Sequence, residues 1–526
     1  MQLKAVLPSG IAQAIESNAT SKAQAQGMTR LAGYILRKYI RDGLPFDEGI
    51  EISKEHFRNQ VNSRYLDDLK ALRAAGIVST NDFYIRPIRD TQTGERLALG
   101  QCKRHHFNPD LVFSDPELVT YNETARGYIT GDDVTRATAQ LLGKIRLSLD
   151  ERNLARYVAG LVTPEYVRAR LKIGEEIPPG AYKSNRFKEP MDRNYLIEIA
   201  RKNGLDLVLY RENKCVITDA AKFAKEKRQE LKTRYLASLI ALKQARKRPA
   251  IYCSRNDTNR RLDTNLTALK SELLGLVIFD GEPLVSIDLK NSQFTLLAWV
   301  IDQSELITYN ENENVLPQAL LGGKTKEISY QPIERRKSII NAAHFWLKIG
   351  SKSNIKYTKS NDCKRFKKLT KAGKFYEDLA AKMSAADGKE ITRAEAKSAM
   401  FLAAFSKHRS HSPAKKILAQ AYPDLVRWMD DFKRAAIADL LAQGLPQADA
   451  WKQGDAALAV MLQSVESAIF IDGILADLLS RGLRVFSKHD SILCKPSDLD
   501  QVSAIIRDHL DAVLGIGGYQ ITISKT

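Results

Sequence analysis

Apolar residues recur at helical spacing along most of this chain and give way, in a few places, to short β-branched runs. From residue 28 onward, Leu31, Tyr34, Ile35 and Leu36 give helical spacing, and Ser53–Val61 reads as a second helix. Tyr65, Leu66, Leu69 and Leu72 form a third helix that stops at Gly76. Ile77-Val78-Ser79 and Asp82–Ile88 read as strands about a turn at Asn81-Asp82, with a further strand near Leu97–His106. Residues 1–27 are rich in Ala, Ser and Gln and weakly patterned, which predicts a loosely ordered start. Residues 116–250 read mostly helical. Within them Ala220–Arg248 carries Phe223, Leu231, Tyr235, Leu239 and Leu242 amid ten Lys or Arg. That pattern predicts a basic amphipathic helix pair able to grip a duplex backbone, or else a solvated charged face.

The pattern changes after residue 250. Leu276–Phe279 and Leu284–Ile287 read as strands, 301–460 as a helix-rich insertion, Val460–Leu479 as a helix, and the segment around Asp490 as strand–turn–strand. Two of the apolar runs stop at a carboxylate, at Asp288 and at Asp490. A carboxylate at the end of a buried strand is costly unless something pairs with it, and two of them can share divalent metal. Between them, Arg393, Lys397, Phe401 and Phe405 fall four apart. On a helix this makes one stripe, with two cations suited to a triphosphate and two rings suited to a base. The alternative is an ordinary amphipathic helix whose aromatics are core.

Composition narrows the partners. A chain of 526 residues predicts two to four domains. Hydrophobic content of 44% and a mean hydropathy of -0.32 predict a folded, soluble protein. Lys and Arg number 81 against 62 Asp and Glu, a net charge of +19, which favours a polyanion. No run approaches the ~20 uninterrupted apolar residues of a membrane span, so nucleic acid is favoured over a membrane. Ala5-Val6-Leu7 is cut short by Pro8-Ser9-Gly10, too brief for a signal-peptide core. Cys102, Cys215, Cys253, Cys363 and Cys494 are scattered and odd in number, which predicts no disulfide frame or zinc site and a cytoplasmic location.

Several segments together resemble family A DNA polymerases, a superfamily shared with single-subunit RNA polymerases. Arg393 to Ser406 fits the spacing R-x-x-x-K-x-x-x-F-x-x-x-Y-G, with Phe405-Ser406 in place of Tyr-Gly. Asp288-Leu289-Lys290-Asn291-Ser292-Gln293 resembles D-x-S-x-x-E, with Lys290 for Ser and Gln293 for Glu. His489-Asp490-Ser491 resembles the family's His-Asp motif and is closer to its form in the RNA enzymes. Thr258-Asn259-Arg260-Arg261-Leu262 with Asn265-Leu266 resembles T-G-R-L…N-L, disturbed at Asn259 and Arg260. Tyr422-Pro423 and Gln463-Ser464-Val465-Glu466-Ser467 complete the family's order. The N-terminal pattern resembles the winged-helix DNA-binding domains of plasmid and phage replication proteins; a helical adaptor that touches no DNA is the alternative.

The resemblance implies an α+β right-hand polymerase. Residues 251–300 and 460–526 would form a palm with an antiparallel sheet, 301–459 helical fingers, 116–250 a helical thumb-like region, and 28–115 the winged helix. Asp288 and Asp490 would hold two Mg²⁺. Lys397 would assist catalysis and, with Arg393, hold the nucleotide phosphates. Phe401 and Phe405 would pack on the nucleotide, and Gln293 would stand near the sugar 2′ position. Arg261, Gln463 and His489 would contact template–primer. The partners implied are a DNA template–primer, nucleoside triphosphates and a specific DNA sequence read by the N-terminal domain. DNA synthesis without proofreading is favoured, because 116–250 reads helical with no D-x-E strand and Asp132-Asp133 reads as a helix start. The alternatives are a single-subunit RNA polymerase or primase, a non-catalytic replication initiator, and a two-metal nuclease.

Overall fold

The computed structural model describes residues 2–526 apart from 47, 54–56, 58–60, 62–63, 82–87, 90–95, 99–102, 124–127, 172–176, 178–180, 188, 210–213, 248–249, 309–356 and 389. The chain opens on a strand, not on a loose segment. Gln2–Pro8 pairs antiparallel along its whole length with Pro116–Asn122, and the helix Ser9–Asn18 buries Ile11, Ala12 and Ile15. The expectation for residues 1–27 is corrected, and the reason is distance: the partner strand lies over a hundred residues away, where local composition cannot signal it. Alternation along Gln2–Pro8 matters to the whole molecule. Val6 joins the large central core, whereas Leu3, Ala5 and Leu7 join a separate N-terminal core.

That N-terminal core is built from the helices Lys22–Arg41 and Tyr65–Ala74 against a sheet ordered Ile50–Glu51, Arg104–Phe107, Val78–Thr80. Ile88–Arg89 pairs with Arg96–Ala98 in a separate two-stranded ribbon. Of the expected helix Ser53–Val61, only Ser53, Phe57 and Val61 are described, linked by the Phe57 N–H to the Ser53 carbonyl at 3.1 Å and the Val61 N–H to the Phe57 carbonyl at 2.9 Å, and most of the expected strand Asp82–Ile88 lies outside the described residues.

Residues 116–250 carry the expected helices, Asp133–Leu142, Glu151–Leu161, Pro164–Arg170, Arg193–Lys202 and Ala220–Gln244, but they are not helical alone. They hold a four-stranded mixed sheet ordered Pro190–Asp192, Ala181–Ser184, Lys214–Thr218, Asp206–Leu209. The helix Arg193–Lys202 packs on it around Tyr182, Leu196 and Ile217. Strands of three to five residues carry too little periodicity to be read locally. None of the four contains a D-x-E pair. Asp132 does begin a helix, Asp133–Leu142, accepting the Thr135 N–H at 2.9 Å.

The basic segment is a single helix, Ala220–Gln244, and much of its charge is turned inward. Lys227 pairs with Glu230 at 2.9 Å, Lys232 with Asp115 at 2.7 Å and Arg234 with Glu230 at 2.8 Å. Arg234 also donates to the Tyr39 carbonyl at 3.3 Å and lies 4.7 Å over the Phe46 ring. Lys232 and Arg234 tie the helix to the N-terminal module, so the expected helix pair is corrected to one helix with part of its charge engaged inside the protein.

The central sheet runs Phe486–Lys488, Ser491–Cys494, Val285–Leu289, Ile521–Lys525, all antiparallel. Described residues of the 301–459 insertion are helical: the end of Ser292–Thr308, then Asn361–Lys371, Phe375–Asp387, Arg393–Phe405, Pro413–Ala421, Pro423–Ala442 and the start of Gln447–Ser467. That last helix begins well before Val460 and continues through a π-helical stretch, Ala468–Leu475, into Ala476–Ser480. It is long and apolar enough to cross a bilayer, but 72% of its most apolar window is buried in protein. Cys215, Cys253, Cys363 and Cys494 are buried and free, and Cys102 lies outside the described residues.

Candidate functional site

The register of the central sheet decides where the two aspartates stand. Asp288 is the Cα partner of Ser491, and the Leu289 N–H donates to the Asp490 carbonyl at 3.3 Å. Asp490 is thus one residue from the partner of Asp288, on neighbouring strands ~4.8 Å apart. It occupies the second place of a two-residue turn, after His489, whose φ is +58°. A left-handed φ at the first place of a hairpin turn is normally given to Gly, so a non-Gly residue there stores strain of roughly 1–3 kcal/mol. Ser286 Oγ donates to Asp288 at 2.8 Å. Neither aspartate forms an ion pair among the described residues.

Burial pushes the Asp490 carboxyl up, and the Asp288 charge pushes it further, against Arg261 and Lys397. Two neighbouring carboxylates that lack an ion-pair partner among the described residues suit a divalent cation. No cluster of three or more His, Cys, Asp or Glu placed to hold an ion is found among the described residues. A two-carboxylate site still fits Mg²⁺, which keeps several waters and takes oxygens from substrate phosphates.

A third carboxylate, Glu466, lies beside them with 2% of its side chain exposed. Its Oε1 accepts from Arg261 Nε at 2.9 Å and Nη2 at 2.6 Å. Its Oε2 accepts from Ser292 Oγ at 3.3 Å and from the Gln293 amide. Burial foremost, with the Asp490 charge, raises it to about 7 against the pull of Arg261. Sequence reasoning quoted Glu466 but gave it no role. The available signal was an acid on the apolar stripe of a helix, one turn from Leu462 and next to Val465, both fully buried.

The loop between strands Tyr252–Arg255 and Leu262–Thr264 docks on the same face of that helix. Asn259 Nδ2 donates to Gln463 Oε1 at 2.8 Å, the Arg260 carbonyl accepts from Ser467 Oγ at 2.6 Å, and Arg261 reaches Glu466. Three consecutive loop residues thus meet positions three and four apart along the helix. The Asn256 side chain organises the loop by accepting the Thr258 N–H at 2.9 Å.

The Arg393–Phe405 helix faces this group. A capping box of Thr392 and Glu395 fixes its start. Arg393 donates to Asn291 Oδ1 at 3.1 Å and pairs with Glu377 at 2.8 Å, over the Tyr376 ring at 5.3 Å. Lys397 is exposed, 6.0 Å over the Phe401 ring, and its charge lowers the Asp490 carboxyl. Phe401 and Phe405 are half-buried and pack on Phe294, with centroids at 5.3 and 6.4 Å. Their rings therefore serve the core as well as the stripe. At the helix's far end the buried Lys433, lowered to about 8 by burial, donates to the Ala404 and Ser406 carbonyls at 2.6 Å each.

The structure brings Asp288, Asp490, Gln293, Arg261 and Lys397 into one electrostatic neighbourhood, with Arg393 joined through Asn291. Gln463 stands one turn from Glu466, bound to Asn259. His489 is exposed at the turn tip, where surrounding protein and then Arg261, Lys488 and Lys270 lower its imidazole to about 4. It is neutral at pH 7.

No protein-family model matches this chain. No curated protein matches it either. Among solved structures, the POL domain of Pol1 from M. smegmatis in complex with DNA primer-template and dNTP is similar at a TM-score of 0.32 and 13% identity. That similarity covers 76% of this chain and 67% of that one.

Proposed function

We propose that this protein catalyses template-dependent nucleotidyl transfer and extends a DNA primer with deoxynucleoside triphosphates. The observation that carries the reading is the meeting of Asp288 and Asp490 on adjacent strands, within the electrostatic reach of Lys397. In this reading 251–300 and 460–526 act as palm, 301–459 as fingers and 116–250 as thumb. The N-terminal module contributes DNA contacts, as in the replication apparatus of a mobile element.

Asp288 and Asp490 would hold two Mg²⁺, which when bound stabilise the attacking and leaving oxygens of an in-line displacement. Lys397 and Arg393 lie along one face of their helix and offset negative charge on a triphosphate tail. Arg393 is oriented for this by Glu377 and Asn291. Phe401 offers the exposed part of its ring to a base. Arg261 and Gln463 are held by Glu466 and Asn259 at the edge facing the primer. His489, being neutral, takes part through hydrogen bonding and not as a cation.

A labelled primer on a template of known sequence tests this, with each triphosphate set supplied separately. The expected result is template-matched growth with deoxynucleotides, reduced at least about a hundredfold in Asp288→Asn and Asp490→Asn. Preferential use of ribonucleotides would reassign the product to RNA. Growth that survives both substitutions would refute the metal pair. The proposal includes no 3′–5′ exonuclease; Mg²⁺-dependent shortening of the primer without triphosphates would contradict that part.

A further inference from the structure

We infer that Glu466 is a positioning residue that keeps Arg261 away from Asp490, so that the aspartate pair stays available to a divalent cation. The inference rests on the proposed reading of Asp288 and Asp490 as a metal pair. Glu466 itself is not free to be a ligand. Each of its oxygens already takes two donors: Arg261 Nε and Nη2 on one, Ser292 and Gln293 on the other. A carboxylate offers about four acceptor sites, and all of them are filled by protein. Its neighbour Arg261 carries a charge that could be spent elsewhere. The Arg261 side chain is 21% exposed, and its charge already reaches Asp490.

A guanidinium is never neutral in a protein and prefers a carboxylate. The anions in electrostatic reach of Arg261 are Glu466, which holds it by two N–H groups, Asp490, and Asp263 two residues further along its own chain. Take the charge from Glu466 and the guanidinium is left to Asp490 and Asp263, and Asp490 is the one of the two that belongs to the aspartate pair. A cation paired there competes directly with a metal ion. The arrangement also explains why an acid occupies a fully buried helix position, where it is costly. It turns the helix, the 256–261 loop and the start of the Ser292–Thr308 helix into one frame around the site.

The test is Mn²⁺ binding by the full-length protein without nucleotide or DNA, followed by the free-ion electron paramagnetic resonance signal. Asp288→Asn and Asp490→Asn report whether the parent's Mn²⁺ sits on the aspartates. The expected result is affinity lowered on the order of tenfold in Glu466→Gln, the size of one neighbouring opposite charge. The double variant Glu466→Gln with Arg261→Gln should recover affinity close to the parent's. A general loss of structure would not give that recovery. Unchanged affinity in Glu466→Gln overturns the inference while leaving the metal pair standing, and so does failure of the double variant to recover. Absence of aspartate-dependent Mn²⁺ binding in the parent removes the metal pair itself, and the inference with it. If Glu466→Gln does not fold, Arg261→Gln alone decides. Affinity equal to or tighter than the parent's is expected, and weaker binding overturns the inference.

Discussion

Glu466 makes a prediction that needs neither metal nor substrate. Its carboxyl titrates near 7 in the folded chain and near 4.5 when unfolded. The native state therefore binds more protons between those values, and stability falls as pH rises from about 4.5 to about 7. Below that window the group costs nothing; above it the cost is roughly 3 kcal/mol. Asp490 is shifted the same way and interacts with Glu466, so Glu466→Gln removes the Glu466 titration together with its effect on Asp490. Denaturant unfolding at several pH values should show the variant gaining on the parent across that window. A pH-independent difference would contradict the burial argument. The same residue marks what single positions reveal in sequence. Asp288 and Asp490 stand out because each ends an apolar run. Glu466 sits on the apolar stripe of its helix, but its partners Arg261, Ser292 and Gln293 are remote in sequence, and nothing local announces them.

Helices were legible where periodicity is local, and the insertion between the two strand pairs is helical in its described part. The helix that carries Glu466 was read too short, from Val460, because Gln447 to Asp455 is rich in polar residues and interrupted by Gly454. The glycine has a reason. The helices Pro423–Ala442 and Gln447–Ser467 cross so closely there that a β-carbon on Gly454 would stand 2.9 Å from the Ile437 backbone nitrogen. Backbone cannot retreat as a side-chain tip can. Gly454→Ala should raise local helix propensity yet destabilise the protein by about 1–3 kcal/mol through overpacking. Urea unfolding measures this; a stabilised variant would mean the helices are free to part. The same crossing supports the Arg393–Phe405 helix, since Lys433 on Pro423–Ala442 ties down its last carbonyls. The short strands between 181 and 218 were not legible for the opposite reason: their order comes from one another and from the helix above them.

At the scale of the molecule, not every cation is free to meet a polyanion, because Lys227, Lys232 and Arg234 are paired internally. Lys232 through Asp115 and Arg234 through the Tyr39 carbonyl, with the Gln2–Pro8 strand, join the N-terminal module to the rest. Lys4 pairs with Glu151, and its backbone N–H and carbonyl both bond the Gln244 side chain, at 2.7 and 2.9 Å. Removing the whole module would strip a buried face from Ala220–Gln244, so a cut after residue 115 is not a clean test of DNA recognition. Removing residues 2–8 is the sharper experiment. It takes Leu3, Ala5 and Leu7 from one core and Val6 from the other, together worth at least roughly 4 kcal/mol of apolar burial. It also leaves one edge of Pro116–Asn122 unpaired. If the strand couples the two cores, the parent melts in one cooperative transition. The truncated chain should then melt lower as a whole, or split with both parts displaced downward. Calorimetry that shows one transition unmoved and only the other lowered would mean the cores fold independently, and that the strand belongs to the N-terminal module alone.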